Sequence, residues 1–458
     1  MHIVILGGGQ VGGTLAQNLV NEDNDVTLID LDEDRLRELQ HRLDIQTIQG
    51  SASHPDVLIQ AGIEQADMLI AVTNSDEVNM IGCQIAYSLF RTPNKIARIR
   101  SKNYYQYPQL FTNDHIPVDV FISPEMLVTE HIENLIHYPG VFQLIDFAES
   151  KILLVTIKSA AKGIMTGKTI RELHELLANI DARIVAVFRN QIETLLEENS
   201  VIEKGDDVLL VVSSQAIQQV LIALGRYMHP NRRIIIAGGG HIGAHLAQTL
   251  EKNYKIKIID HNPACTSELA ERLYKSTVLQ GDIADRDLLL NENIEFTDVF
   301  CAVTNDDEAN IMSCLQAKRL GARHTMALVN RKAYVELIED STIDHAISPQ
   351  LITIGSILTK MRRGNMVKVH RLQNDEGEAI ELIVHGDEVT SNVVGRRLDE
   401  ISLPSSCSIA AILRDETVMM ASNDLVLEAG DHVILVILKK RYVRQVESLF
   451  QVKLNFMS

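Results

Sequence analysis

The sequence predicts an α/β protein made of two doubly wound parallel-sheet domains, each followed by a small α+β domain, in the tandem order A–B–A′–B′. Three observations predict it. A glycine-rich turn, Gly7-Gly8-Gly9-Gln10-Val11-Gly12, follows the apolar run 3–6, and half a chain later Gly238-Gly239-Gly240-His241-Ile242-Gly243 follows the apolar run 234–237. Apolar runs then alternate with helical patterns through each half, the signature of a parallel sheet wrapped by crossover helices. Finally, a shorter β-rich stretch repeats behind each alternating series.

In the first half the predicted strands are 2–6, 26–30, 45–49, 68–73, 96–100 and 118–122, and the second half answers with 233–237, 256–260, 276–280, 299–304, 325–329 and 344–347. Both series end alike, in Ser123-Pro124-Glu125 and Ser348-Pro349-Gln350. Proline suits the first helical turn, where its missing N–H costs nothing. The small modules then align Gly167-Lys168-Thr169-Ile170 with Gly395-Arg396-Arg397-Leu398. They also align Lys204-Gly205-Asp206-Asp207 with Ala429-Gly430-Asp431-His432. The Gly-Asp pairs read as turns feeding a buried strand. The junction between halves is assigned to 227–231, and the predicted domains are 1–138, 139–228, 229–364 and 365–458.

Composition excludes several functions. Sixty-one acidic against 43 basic residues leave a net charge of −18. That argues against binding nucleic acid through its phosphates and against direct binding to anionic lipid. No apolar stretch approaches the ~18 residues of a membrane span, so a soluble, intracellular chain is expected. The 5 cysteines form no C-x-x-C pair and read as small buried hydrophobes. No metal site is predicted.

The candidate chemistry sits at the glycine turns. In each, the first glycine permits the tight turn, the next lets the backbone approach a pyrophosphate, and the last lets the helix pack on the sheet. Asp30 and Asp260 close the second strand of each copy, about 20 residues on, where an acid accepts hydrogen bonds from the adenosine ribose. Asp32-Glu33-Asp34 would repel a 2′-phosphate, which disfavours NADP. Thr73-Asn74-Ser75 and Thr304-Asn305-Asp306 lie where ribose and diphosphate are lined, with helix capping as the plainer reading. Arg98 and Arg100 are assigned to the fifth strand, and Arg98 is placed to meet a phosphate. Leu328 and Asn330 stand at those positions in the second copy, so the two sites should differ in ligand or affinity. Gln49-Gly50 and Gln280-Gly281 are weaker candidates near the adenine.

On these motifs, in this order and spacing, the whole chain resembles the TrkA family of tandem nucleotide-binding domains. The resemblance implies NAD or NADH as ligand, with ATP or ADP in some relatives. It places first-site contacts on Gly7, Gly8, Gly9, Gln10, Val11, Asp30, Thr73, Asn74 and Arg98. Second-site contacts fall on Gly238, Gly239, Gly240, His241, Ile242, Asp260, Thr304 and Asn305. It further implies a peripheral regulatory subunit on the cytoplasmic face of the inner membrane, gating a Trk-type potassium-translocating subunit, and a tetramer carrying eight Rossmann domains. An NAD-dependent oxidoreductase is the alternative. It would need a substrate domain with an acid or base near the nicotinamide. The small modules look too slight for that, and none of the 16 histidines recurs in a repeated motif.

Overall fold

The computed structural model describes residues 1–20, 24–160, 163–190, 192–194, 197–225, 232–339, 342–361, 366–372 and 377–452. The predicted junction at 227–231 and the predicted boundary at 364/365 lie outside the described residues. The chain divides by internal contacts into two units, one of Met1–Ile132 with Arg232–Ile357, the other of Glu133–Asn231 with Leu358–Ser458. Each unit therefore pairs like with like.

In the first unit, β1 (His2–Leu6), β2 (Asp25–Asp30), β3 (Gln46–Gln49), β4 (Met68–Ala71), β5 (Asn94–Arg98) and β6 (Val120–Ile122) form one sheet in the order β3-β2-β1-β4-β5-β6. All neighbours are parallel. Ile3, Val4, Ile5, Leu6, Leu69, Ile70 and Ala71 are fully buried, as expected of central strands covered by helices on both faces. The chain winds one way from β1 to β3 and then crosses back to β4. The crevice that this reversal opens lies at the carboxyl ends of β1 and β4, where ligands of doubly wound sheets collect.

Two strands of this sheet stop sooner than predicted, as do their second-copy equivalents, which end at Ala302 and Leu328. β4 ends at Ala71 and β5 at Arg98, so Thr73 and Arg100 lie in the following turns and Arg100 is not a strand residue. At β5 the reason is a long-range bond: Asp76, in the first turn of helix Asp76–Phe90, accepts from the Arg100 and Ser101 N–H groups and draws the chain off the sheet.

The second copy in this unit repeats the plan. Its parallel strands, numbered in chain order after the five strands of residues 143–213, are β12 (Arg233–Ala237), β13 (Lys255–Asp260), β14 (Thr277–Gln280), β15 (Val299–Ala302), β16 (His324–Leu328) and β17 (His345–Ile347), ordered β14-β13-β12-β15-β16-β17. The proline-led helices Pro124–His137 and Pro349–Met361 follow the last strands, each capped by the preceding serine, Ser123 or Ser348. The copies also touch: Gln350 Nε2 donates to the Gln10 carbonyl at 2.8 Å and to Thr14 Oγ1.

In the second unit, β7 (Gln143–Phe147), β8 (Ile152–Lys158), β9 (Ala182–Arg189), β10 (Ile192–Thr194) and β11 (Asp207–Ser213) form an antiparallel sheet, ordered β10-β9-β11-β8-β7. Its repeat contains β18 (Met366–Arg371), β19 (Glu378–Ile383), β20 (Cys407–Arg414), β21 (Thr417–Met420) and β22 (His432–Ile437), with equivalent order. The two sheets share one core, in which Phe147, Leu154, Phe188 and Val211 pack with Ala379, Leu413, Ile434 and Val436. At its edge Glu381, only 2% exposed, accepts from the Ala148 N–H and lies 2.7 Å from His432 Nδ1. The repeated Gly-Asp pairs do more than turn the chain. Asp206 and Asp431 are each 1% exposed and hold Arg189 and Arg414 through paired hydrogen bonds of 2.7–2.8 Å.

No helix among the described residues is long and apolar enough to cross a membrane. Likewise, no group of three or more His, Cys, Asp or Glu among them could hold a metal ion.

Candidate functional site

The first glycine turn joins β1 to helix Gln10–Val20, and its geometry is fixed by close backbone approach. Gly7 takes a φ of +102°, a region side chains rarely enter. A Cβ on Gly12 would lie 1.8 Å from the Gly7 carbonyl oxygen, so only glycine lets the helix start there. A Cβ on Gly9 would meet nothing within 4 Å. That open face lets a ligand approach the backbone.

Asp30 is locked to this turn. Its Oδ2 accepts from the Gly8 N–H at 2.5 Å, its Oδ1 accepts from the Asp32 N–H at 2.9 Å, and Arg35 lies 3.5 Å away. These bonds orient the carboxylate at the tip of β2. Its remaining lone pairs suit hydroxyl donors such as a ribose diol.

Across the crevice, Asn79 organises the ends of β4 and β5. Buried completely, it accepts at Oδ1 from the Thr73 N–H (2.9 Å) and Thr73 Oγ1 (2.7 Å), and donates from Nδ2 to the Arg98 carbonyl (2.8 Å). Ser75, not Asn74, caps helix Asp76–Phe90, accepting from the Val78 N–H. Asn74 is exposed at the same rim. The sequence motifs do not single out Asn79. Its one available signal is the spacing Thr-x5-Asn, repeated as Thr304 and Asn310.

Arg98 carries the strongest hint of an anion. Its Nε is buried with no hydrogen-bond partner. Burial, then the neighbouring Arg100, pushes its guanidinium below the ordinary value. Arg100 itself is turned away, donating to Glu125 at 2.8 Å. A half-buried cation with a buried, unsatisfied donor is a costly arrangement. A phosphate in the crevice would satisfy it with a charge-assisted bond. The glycine turn, Asp30, Thr73 and Arg98 thus follow or end neighbouring strands, β1, β2, β4 and β5, and the structure brings them to one end of the sheet.

The second site keeps the backbone and changes the charge. Gly238 has a φ of +112°, and a Cβ on Gly243 would lie 1.9 Å from the Gly238 oxygen. Asp260 accepts from the Gly239 and Asn262 N–H groups at 2.7 and 2.8 Å. Asn310 repeats the bridge, bonding Thr304 and the Leu328 carbonyl. Asn305 and His241 are both exposed. At the Arg98 position stands Leu328, 3% exposed, and Asn330 is spent on Asp307. At the Arg35 position stands Cys265, whose Sγ donates to the Gly239 carbonyl at 3.3 Å. Cys265 and Cys407 are only half-buried, so neither is the small buried hydrophobe the sequence suggests. Cys83, Cys301 and Cys314 are buried as expected, with burial pushing the Cys83 and Cys314 thiols up to about 12. Neither Arg35 nor Arg98 has a cationic counterpart in the second copy.

With this geometry in hand, comparison with known proteins places the chain. The TrkA-N domain model matches residues 3–124 and 234–349, and the TrkA-C domain model matches 154–225 and 387–451. The chain is 49% identical over 456 residues to the Trk system potassium uptake protein TrkA of Halomonas elongata, covering 100% of both chains. It is also 49% identical to the protein of that name from Vibrio alginolyticus, covering 98% of this chain and 99% of that one. Among solved structures, the crystal structure of the GsuK RCK domain aligns with a TM-score of 0.61 at 18% identity, over 98% of this chain and 94% of that chain. The GsuK channel bound to NAD aligns with a TM-score of 0.61 at 17% identity, over 98% and 78%. At these identities the structural matches establish the fold.

Proposed function

The chain belongs to the TrkA family, and from that premise we propose that it is the nucleotide-binding regulatory subunit of a Trk-type potassium uptake system. Its ligand is NAD or NADH, with ATP or ADP competing for the same turn. Gly7, Gly8, Gly9, Gln10, Val11 and Gly12 cradle the pyrophosphate, Asp30 takes the adenosine ribose, and Thr73 with Asn74 borders the second ribose. Arg98 meets a phosphate oxygen. The observation that carries the site is the buried, unpartnered Nε of Arg98 on the same sheet end as the open face of Gly9. The second site, at Gly238 to Gly243, Asp260, Thr304 and Asn305, binds the same class of ligand more weakly because Leu328 supplies no charge.

Regulation, not catalysis, is the reading these features support. The small modules are filled by apolar cores, around Leu173 and Leu210 in the first and around Ile380 and Val446 in the repeat. Their interiors pack side chains where a substrate domain needs a cleft. Nucleotide would act by population shift, favouring one arrangement of the two parallel-sheet domains, and that rigid-body change would pass to the membrane subunit. A coupling of about 1–3 kcal/mol would change the ratio of open to closed states by roughly 5–150-fold. The protein would sit on the cytoplasmic face of the membrane, as a tetramer with eight Rossmann domains.

The test is potassium uptake in a strain lacking the chain, with fractionation of cells with and without the potassium-translocating partner. Wild type should restore uptake and be retained at the membrane with the partner present; an Asp30→Ala variant should be retained without restoring regulated uptake. Normal uptake in the deleted strain would overturn the proposal. A thermal-shift panel of NAD+, NADH, ATP and ADP then ranks the ligands.

A further inference from the structure

The opposite, amino-terminal edge of the second parallel sheet holds a cavity that nucleotide binding does not use. It measures about 1070 Å³ and is lined by the first residues of β12, β13 and β14 and by neighbouring loops. Six cations stand around it: Arg232, Arg233, Lys252, Lys255, Lys257 and Lys275. Among the described residues, only Lys257 of the six is held by a carboxylate, Glu292 at 2.8 Å. The other lining acid, Glu251, is spent on the N–H groups of Lys275 and Ser276 and on Ser276 Oγ. Arg233 lies over the Phe296 ring, 5.9 Å from its centroid.

The first copy provides an internal control. The strands pair in the same register, His2 with Asp25 as Arg233 pairs with Lys255, and Thr27 with Gln46 as Lys257 pairs with Thr277. At the positions of Arg232, Arg233, Lys255, Lys257 and Lys275 the first copy carries Met1, His2, Asp25, Thr27 and Asp44. The fold therefore forms without these cations, and at two positions the sign of the charge is reversed. Gathering like charges around one cavity opposes itself unless an anion joins them. In a chain of net charge −18, that gathering is a local feature against the general trend.

We propose that this cavity is a binding site for a small phosphate-bearing anion. Concavity on the scale of small-molecule sites, roughly 300–1,000 Å³, argues for a compact ligand. Two guanidinium forks and several ammonium groups match dense phosphate charge, the forks bonding oxygens in pairs. Phe296, 59% exposed, offers an apolar face for an organic portion. The phosphate comes from a free anion or from a lipid headgroup, and the site stands apart from the nucleotide reading above.

Calorimetry of the full chain with inorganic tripolyphosphate tests it, using a variant that carries Lys255→Asp and Lys275→Asp, the first-copy residues. Wild type should bind, more weakly as salt rises. The double variant should lose at least about tenfold in affinity as two charge-assisted contacts vanish, and should do so equally in an Arg98→Leu background, which separates this cavity from any tripolyphosphate held at the first crevice. Should the reversed pair fail to fold, Lys255→Gln with Lys275→Gln is expected to shift affinity in the same direction. Cosedimentation with phosphatidylglycerol vesicles separates the sources. Lysine-dependent vesicle binding without tripolyphosphate binding assigns a headgroup; the converse assigns a free anion. Failure of both probes to bind wild type, or binding indifferent to the substitutions, overturns the proposal.

Discussion

Asn79 donates from Nδ2 to the Arg98 carbonyl at 2.8 Å while its Oδ1 accepts from the Thr73 N–H, so one buried amide ties two strand ends at the mouth of the crevice. Removing it leaves a carbonyl and an amide without partners in a buried setting. Asn79→Ala is expected to cost about 2–4 kcal/mol, from about 1–3 kcal/mol per orphaned group. Urea unfolding followed by circular dichroism measures it. A loss under about 1 kcal/mol, below the cost of even one orphaned group, would mean that water replaces the amide and that Thr73 and Arg98 are positioned by something else.

Arg98 and Leu328 give a direct comparison between the copies. Arg98→Leu should weaken nucleotide binding at the first site by about 1.5–3 kcal/mol, the range for a hydrogen bond to a charged group, and should bring the two sites closer in affinity. Calorimetry resolves this with NADH as titrant. Sites as unequal as before would show that their difference lies elsewhere, Arg35 against Cys265 being the next place to look.

Two glycines of the same turn should fail in opposite ways. Gly12→Ala sets a Cβ 1.8 Å from the Gly7 oxygen, so the turn must open and the melting temperature must fall. Gly9→Ala meets no protein atom within 4 Å, so the folded state should hold its melting temperature. A ligand approaching that face would meet the methyl group instead, and nucleotide affinity should drop. A Gly9→Ala variant that binds NADH as tightly as wild type removes the turn from the binding site.

Much of the architecture is legible because repetition makes it so. Two glycine turns with matched strands and acids point to the sheets, the crevice, Asp30 with Asp260, and the contrast between Arg98 and Leu328. What escapes depends on distance in sequence. The Asn79 bridge joins residues that only the strand order brings together. The common core of the two small sheets needs Phe147 and Ile434 to meet, and a strand buried on both faces carries no alternating pattern to announce a second partner. The cation cluster around Lys255 vanishes into a net charge of −18, since a sum hides where its members lie. Arg100 reads as a strand residue because Ile96, Ala97 and Ile99 run up to it; Asp76 captures its N–H and ends the strand first.

Stability should fall in mild acid. Burial pushes the His131, His345 and His370 imidazoles down to about 4 from an ordinary 6.5. At His370, Lys368 adds to this and Asp146 opposes it. Between those values the unfolded chain binds protons that the folded chain does not, so stability is full above about pH 6.5 and declines toward pH 4. The slope is about 1.4 kcal/mol per pH unit for each such group. Urea midpoints at neutral and at mildly acidic pH check the sign, and His370→Phe should flatten the decline. A midpoint that rises on acidification contradicts the assignment.

Gln350 links the two parallel-sheet domains at a place where nucleotide would act. Its Nε2 donates to the Gln10 carbonyl, one residue past Gly9 on the turn itself. Its counterpart in the first copy, Glu125, is held by Arg100 within its own domain, so this link has no symmetric twin at that residue. If nucleotide tightens the turn, it must also change how Gln10 presents its carbonyl, and Gln350 is the group that reads the change. Gln350→Leu removes the donor at nearly constant volume and leaves every residue of the first crevice intact. NADH affinity should then shift by less than about threefold, because the lost bond is worth about 0.5–1.5 kcal/mol and only part of it differs between states. The dependence of potassium uptake on nucleotide should fall further than that, since coupling resides in the differential contact and not in the binding itself. Equal loss of affinity and of response would make Gln350 a support for the turn alone. An unchanged response would move the coupling to other contacts between the two domains.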